Sequence, residues 1–457
     1  MRQILAILLL LLGLSAQSSR GVEATKPEPP LTWDAKENQL GASVTDWKLD
    51  RLLKEISKTT KWQVLVEPNT ELVVSAKFQS LATREALTRL LRGISYALVN
   101  EDGKTKLLIY RTNPESATKH VRTPLEEDNV DENGRITNEL IVSLKKGGNI
   151  EALAARYGAK VVGAIPELGL YRLRFEDADK TDFAKTQLAS FPEIQGIESN
   201  YVVSKPDTAI ASTGSAALPF SLNPTAATGG SGLVIGLIDT SVQSMGGKLD
   251  QFLLKALYAN GDPSQSSTPL HGTSMAETIL RAMSSASDGG NSTTRILPVD
   301  VFGQNESTST FAVANGIYLA VKNGATIINM SLGSTATASY LETIIANSSA
   351  QGVMFLGAAG NVSTDTPTYP AAYSQVIAVT AGSRSGNIAS YANYGSFVDV
   401  VAPGTSIVTY NGQSYLVGGT SAATATATGV AAQWKAATKA SNAQIREKLG
   451  LLWPRKD

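Results

Sequence analysis

The sequence of 457 residues has no cysteine and only two histidines, His120 and His271. Without thiols there can be no disulfide, no thiolate zinc or iron–sulfur site and no cysteine nucleophile. Two histidines exclude a histidine-rich metal cluster, so imidazole chemistry falls to one of two positions. Neither sign of charge is in surplus, because 40 Lys+Arg face 40 Asp+Glu. Gripping nucleic acid or anionic lipid by bulk charge needs a basic excess on one face, so no nucleic-acid partner is expected. Long apolar runs are absent beyond the N-terminus. There, residues 4–12 follow Arg2 and give way to small and polar residues from Gly13. This is the pattern of a signal peptide over residues 1–19, with cleavage between Ala16 and Ser19. The run is well short of the roughly 20 residues a membrane span requires, which favours cleavage over a retained anchor. The mature protein is therefore expected to be secreted or periplasmic.

Charge is present but unevenly spread: the first 210 residues hold 28 acidic and 28 basic side chains, the last 247 only 12 of each. The charge-poor half is rich in Ala, Ser, Thr and Gly. A stretch dense in turn formers, residues 207–232, separates the halves, with a linker at 205–215; a polar, proline-containing break at 113–136 divides the first half again. Three folded blocks result, at 31–112, 137–204 and 216–452. His120 falls in the earlier break beside Lys119 and Arg122, where a solvated loop histidine is expected.

In the first block, Leu49, Leu52, Leu53 and Ile56 share one helical face over residues 49–60, and Leu87, Leu90 and Leu91 share another over 83–91. Strand-like runs at 62–67, 73–79, 96–100 and 106–111 complete a small α+β module. The segments LDRLLKEISKTTKWQVLVEP, VSAKFQSLATREALTRLL and YALVNEDGKTKLLIY resemble the short N-terminal domain of secretins and TonB-dependent receptors. That resemblance implies an envelope protein as a partner; the alternative is a folding or solubilising domain. The second block alternates strand, helix, strand, strand, helix, strand, the size and order of a small ferredoxin-like fold.

The third block alternates buried-type strands with helices, which implies a doubly wound, mostly parallel α/β sheet. Strands are expected at 232–239, 326–333, 353–361, 376–382 and 397–404. The first ends in Asp239, at the strand end where open α/β sheets place functional groups. His271 begins a helix in HGTSMAETIL, and Ser421 opens a small-residue helix in GTSAATATATG. A serine hydroxyl is a poor nucleophile near neutral pH. It needs a base within hydrogen-bond reach, and the base needs a third group to hold its tautomer. Ser421, His271 and Asp239 are the residue types that chemistry requires. The amide of Asn361 is suited to donate to a developing oxyanion. Taken singly, each has a bland reading as a cap, turn or surface residue; His271 is nevertheless the sole histidine after residue 210.

Six motifs in register, IDT at Asp239, HGT at His271, NMSLG at Asn329, AAGN at Asn361, APG at Ala402 and GTS at Ser421, resemble the subtilisin (subtilase) family of serine peptidases. Its chain order of Asp, His and Ser is the one seen here. The resemblance implies a subtilisin-like peptidase domain preceded by two small α+β domains. It also implies a serine endopeptidase acting on protein or peptide through an acyl-enzyme. Asp239, His271 and Ser421 would be catalytic, and Asn361 the oxyanion donor. Ser331, Leu332 and Gly333 would pair with substrate, while Gly357, Ala358 and Gly360 would form a wall of the pocket for the residue before the cut. The second block then becomes a propeptide-like domain acting as an intramolecular inhibitor; the alternative is a permanent adaptor.

The chain departs from the family pattern in three places. Ser241 replaces a glycine in the turn after Asp239, Glu277 stands on the His271 helix where a small residue is usual, and Ala422 and Ala425 replace methionine and proline after Ser421. Glu277 is either exposed or close enough to His271 to raise its pKa. The departures leave open a catalytically silent binding or scaffold protein of the envelope as the alternative. No acidic cluster suited to a calcium loop is evident, so no metal and no cofactor are expected.

Overall fold

The computed structural model describes residues 29–101, 104–121, 129–204, 211–212, 220–226, 232–244, 246–264, 266–287, 290–305 and 307–455. The signal-like residues 1–19 and most of the 205–215 linker lie outside these.

The N-terminal module runs β1 (Leu31–Asp34), β2 (Gln39–Lys48), α1 (Leu49–Thr60), β3 (Gln63–Val66), β4 (Val73–Ala82), α2 (Thr83–Leu90), β5 (Ser95–Glu101), β6 (Lys104–Tyr110) and β7 (Lys119–His120). α1 buries Leu49, Leu52, Leu53 and Ile56, the face set by their spacing. Lys61 ends it in the left-handed conformation. Two sheets, ordered β1-β2-β4 and β5-β6-β3-β7, enclose one core with both helices. The hairpin β1–β2 was not expected from the sequence. β2 contains Gly41 and Asp46, which blur its alternation, and Gly41 is needed there because a Cβ would stand 1.9 Å from the Gln79 carbonyl oxygen across the ladder. His120 lies not in a loop but in β7, opposite Leu65 of β3.

The second domain comprises β8 (Arg135–Leu144), α3 (Ile150–Arg156), β9 (Lys160–Ile165), β10 (Leu170–Arg174), α4 (Ala178–Leu188) and β11 (Ile194–Ser204). Its strands are ordered β11-β8-β10-β9 and all pair antiparallel, the ferredoxin-like arrangement expected from the element order. One sheet face packs Leu140, Val142 and Leu173 against Leu153, Ala184 and Leu188 of the helices. Residues pointing the other way, Ile141, Ile165 and Leu170, join a core shared with the third block.

The third block continues with β12 (Ala211–Ser212), β13 (Leu222–Pro224), β14 (Val234–Asp239), β15 (Leu257–Tyr258), α5 (His271–Ala286), β16 (Gly290–Ser292), β17 (Arg295–Asp300) and β18 (Ser307–Ser309). It proceeds through α6 (Thr310–Lys322), β19 (Ile327–Met330), α7 (Ser339–Ala350), β20 (Met354–Ala358), β21 (Val376–Gly382) and β22 (Val400–Pro403). The hairpin β23 (Thr405–Tyr410) and β24 (Gln413–Gly418) then leads to α8 (Thr420–Thr438) and α9 (Asn442–Leu452). Seven strands form one parallel sheet in the order β15-β17-β14-β19-β20-β21-β22. After β14 the chain builds β15 and β17 on one side, then returns to build β19 on the other. The strand order therefore reverses beside Asp239, where an open α/β sheet leaves a crevice at its carboxyl edge.

α5, α8 and α9 cover one face of the sheet, and α6 and α7 the other. α5 and α8 approach closely at Gly429, where a Cβ would stand 2.3 Å from the Ile279 carbonyl oxygen. Among the described residues no helix is long and apolar enough to cross a membrane.

The second domain meets the third along a continuous sheet. β18 adds to the edge of β11, pairing Val202 with Ser309, Val203 with Thr308 and Ser204 with Ser307. Side chains of the second domain also cap two helices of the third. Asn200 Oδ1 accepts from Phe311 N (3.1 Å) and from Thr310 Oγ1 (3.0 Å), and Glu198 Oε2 accepts from Ser339 N (2.7 Å). Helix-start amides have no acceptor within their own helix, so these contacts fill a need of the α6 and α7 termini.

Candidate active site

Three adjacent strands deliver the site. Asp239 is the last residue of β14, Ser331 follows β19 directly, and Asn361 follows β20 by three residues. Two helices that start over the same edge supply the rest: His271 is the first residue of α5 and Ser421 the second of α8.

Asp239 and His271 form a buried couple. Nδ1 of His271 lies 2.7 Å from Asp239 Oδ1 and 2.9 Å from Oδ2, and both side chains are shut off from solvent. The carboxylate accepts in addition from Thr240 N (2.7 Å). Such a partner on Nδ1 fixes the proton there and leaves Nε2 as the basic nitrogen. Among the described residues Nε2 has no hydrogen-bond partner although it is buried. An unpaired polar atom inside a protein is costly and calls for a reason.

Ser421 is 3% exposed. Its hydroxyl is not bonded to Nε2 in this structure, as often holds for the serine–histidine contact before substrate closes the site. Its main chain is tied to the segment after β19: Ser331 Oγ donates to the Ser421 carbonyl (3.4 Å), and Asn329 Nδ2 donates to Ser331 Oγ (3.0 Å). Asn361 is fixed by its oxygen. Oδ1 accepts from Thr420 N (2.8 Å) and Thr420 Oγ1 (2.9 Å), so the amide's NH₂ group is left to face other groups. Gly419, with φ 108°, permits this: a Cβ there would stand 2.8 Å from Asn361 Nδ2. The Ser421 amide lies in the first turn of α8, where N–H groups lack a helical acceptor and the helix dipole favours negative charge.

Ser331 and Leu332 are buried, and Leu332 packs into the core on the α6 side. Gly333 forms an isolated antiparallel bridge with Ser204, the last residue of β11, so the second domain reaches this segment. Gly357 and Ala358 lie inside β20, Gly357 packed against Ala371 and Val376, whereas Gly360 stands at the cleft beside Thr368 and Asn393. Thr368 also contacts the Gly333 side, where a Cβ would meet its methyl at 2.4 Å.

The departures from the family pattern resolve locally. Ser241 needs no glycine conformation; its hydroxyl donates to buried Asp300 at the end of β17. Glu277 is neither exposed nor spent on His271. It is 4% exposed and accepts from Arg281 Nη2 (2.6 Å), Arg281 Nε (2.9 Å) and Thr409 N (2.9 Å), joining α5 to β23. Burial pushes its carboxyl above the usual range, against the pull of Arg281. Ala422 and Ala425 are buried in a helix that runs unbroken to Thr438.

Of the supporting residues, Asn393 gave no sequence signal and Thr240 figured only as the last letter of the IDT motif. Asn393 is 1% exposed and holds the loop that carries Asn361: Nδ2 donates to the Ala359 carbonyl (2.9 Å), Oδ1 accepts from Val362 N (3.0 Å), and its own N–H donates to Gly360 O (2.8 Å). Thr240 Oγ1 accepts from Gly272 N (2.8 Å). A polar residue in a loop carries no periodicity, so its partners emerge only in three dimensions.

An open, parallel α/β sheet thus brings an Asp–His couple and a helix-start serine to the edge where its strand order reverses. Residues 230–450 match the model of the subtilase family, and residues 124–200 that of the fervidolysin N-terminal prodomain. The chain is 34% identical over 230 residues to subtilisin Savinase of Lederbergia lenta, covering 48% of this chain and 82% of that protein. It is 36% identical over 230 residues to a thermostable alkaline protease of Halalkalibacterium halodurans, again 48% of this chain but 62% of the relative. Crystalline fervidolysin of Fervidobacterium pennivorans superposes with a TM-score of 0.55 at 19% identity, over 68% of this chain and 56% of that one, a likeness of fold. The chain belongs to the subtilase family. Among the described residues no three His, Cys, Asp or Glu side chains gather as a metal site.

Proposed function

We propose that the protein is an exported serine endopeptidase that cuts peptide bonds through an acyl-enzyme. The observation that carries this is the buried Asp239–His271 pair, whose Nε2 has no partner among the described residues, at the sheet edge where Ser421 opens α8. In the reaction, Nε2 takes the Ser421 hydroxyl proton as Oγ attacks the scissile carbonyl carbon. The carbonyl oxygen becomes an oxyanion facing the Asn361 amide and the Ser421 N–H. Asp239 stays ionised and stabilises the imidazolium. Collapse of the tetrahedral adduct expels the amine, which leaves with the proton from Nε2. A water molecule, deprotonated by the same nitrogen, then releases the acid.

An extended substrate strand would lie against the main chain of Ser331, Leu332 and Gly333. The second domain fits the role of an intramolecular inhibitor, since β11 ends on Gly333. We infer self-cleavage between Val203 and Ala217, a segment mostly outside the described residues. Export rests on the signal-peptide pattern of residues 1–19, and the N-terminal module is assigned to binding an envelope protein on its likeness to the secretin and TonB short domain.

A fluorophosphonate probe tests the central reading, because only an activated serine is phosphonylated. Labelling of the wild type and not of Ser421→Ala is expected. A wild type that stays unlabelled would make the chain a silent member of the family.

A further inference from the structure

We propose that Gln243 is the positioning residue for His271, a role that rests on the peptidase reading above. His271 opens α5 with no side-chain cap; the residue before it is Leu270, in extended conformation. A histidine so placed at a helix start is only as well aimed as the backbone on its two sides.

That backbone is held from the turn that follows Asp239. On the C-terminal side, Gly272 N donates to Thr240 Oγ1 (2.8 Å), and a Cβ at Gly272 would stand 2.1 Å from the Thr240 carbonyl oxygen. On the N-terminal side, Leu270 N donates to Gln243 Oε1 (2.7 Å). Thr273 Oγ1 gives a second hydrogen bond to the same oxygen (3.0 Å) and accepts from Gln243 N (2.8 Å). Residues 270, 272 and 273 are therefore all gripped by the segment that carries Asp239.

The other end of the Gln243 amide secures the approach to the helix. Nε2 donates to the carbonyls of Ser266 (2.9 Å) and Thr268 (3.2 Å) and to Tyr410 Oη (2.7 Å). Tyr410 Oη lies 3.1 Å from the same Ser266 carbonyl oxygen. A primary amide suits this place because it must accept on one side and donate on the other, which neither a carboxylate nor an ammonium does. Gln243 touches neither His271's ring nor any reacting atom. It acts by fixing the main chain through which the Asp239–His271 bond keeps its length and direction, and displacements of about 1 Å at such a distance lower rates by about 100-fold.

Two variants test this. Gln243→Met keeps the length and removes both polar atoms; Gln243→Asn keeps the amide and draws it back by one methylene. Active sites are first titrated with the fluorophosphonate, and kcat and KM for a peptide p-nitroanilide are then measured per titrated site. The expected result is kcat lowered roughly 10- to 100-fold in Gln243→Met and several-fold in Gln243→Asn, with KM within twofold of wild type. A kcat per titrated site equal to wild type, whatever happens to the melting temperature, would reduce Gln243 to a structural strut and overturn the proposal, as would a change confined to KM. If Gln243→Met does not fold, Gln243→Asn decides by the same criterion. An unlabelled wild type would instead overturn the peptidase reading on which the proposal depends.

Discussion

The two small domains meet the subtilisin-like fold in different ways. The second shares its core: Ile141, Ile165, Leu170 and Val203 pack in one cluster with Val313, Ala314 and Ile317 of α6. Phe311 is pressed against it, with Arg172 over its ring at 5.6 Å and Gly163 so near that a Cβ would stand 2.7 Å from the ring. A polar chain runs beneath. Arg174 pairs with Glu139 (2.8 Å), Asn200 Nδ2 donates to Glu139 Oε2 (2.7 Å), and Asn200 Oδ1 caps α6. The N-terminal module keeps its core to itself. Among the described residues, its Thr118 Oγ1 donates to the Asn361 carbonyl of the third block (2.8 Å). A domain that supplies helix caps and core side chains is energetically part of the fold it covers, whereas one with its own closed core can come and go at little cost.

Ways to break that comparison begin with the largest effect. Ser421→Ala should lower hydrolysis by about a millionfold and leave the far-UV circular dichroism unchanged. If the second domain is released by self-cleavage, N-terminal sequencing will find this variant uncut between residues 203 and 217 and the wild type cut. An active wild type that remains intact would make the second domain a permanent adaptor.

Next comes Asn361→Ala, expected to reduce kcat by roughly 100- to 1,000-fold with little change in KM, since the proposed oxyanion donor would act mainly on the transition state. A loss confined to KM would make Asn361 a binding residue.

Asn200→Ala in the Ser421→Ala background sharpens the contrast on the second domain. Asn200 is fully buried, and its loss leaves the Glu139 carboxylate and the Phe311 amide short of partners. A destabilisation of about 2–4 kcal/mol is expected in urea denaturation. A change below about 0.5 kcal/mol would show that this network does not bind the two domains.

The smallest effect is predicted for the module. Thr118→Val should change kcat by less than twofold, because a single half-buried side-chain bond contributes only about 1 kcal/mol and Asn361 is also held by Thr420 and the Asn393 loop. A tenfold loss would mean that the module supports the proposed oxyanion residue, and the comparison between the domains would fail.

The sequence by itself determined the local elements and singled out the residues proposed to react. Leu49, Leu52, Leu53 and Ile56 recur at helical spacing, and α1 forms over the residues that spacing marks. Asp239, His271 and Ser421 were legible because each sits in a motif of its own, and all three meet the same sheet edge. What could not be read was whatever depends on partners remote in the chain. β17 was missed although it is a central neighbour of β14, because its proline breaks the apolar run on which recognition of a strand depends. Glu277 looked like an exposed charge or a perturbation of His271, and only its approach to Arg281 and Thr409 made it an interior pair. Gln243 and Asn393 were silent for the same reason. Spacing along the chain reports which face a residue takes, whereas a hydrogen bond across 27 or 34 positions exists only once strand order has brought the two loops to one edge of the sheet.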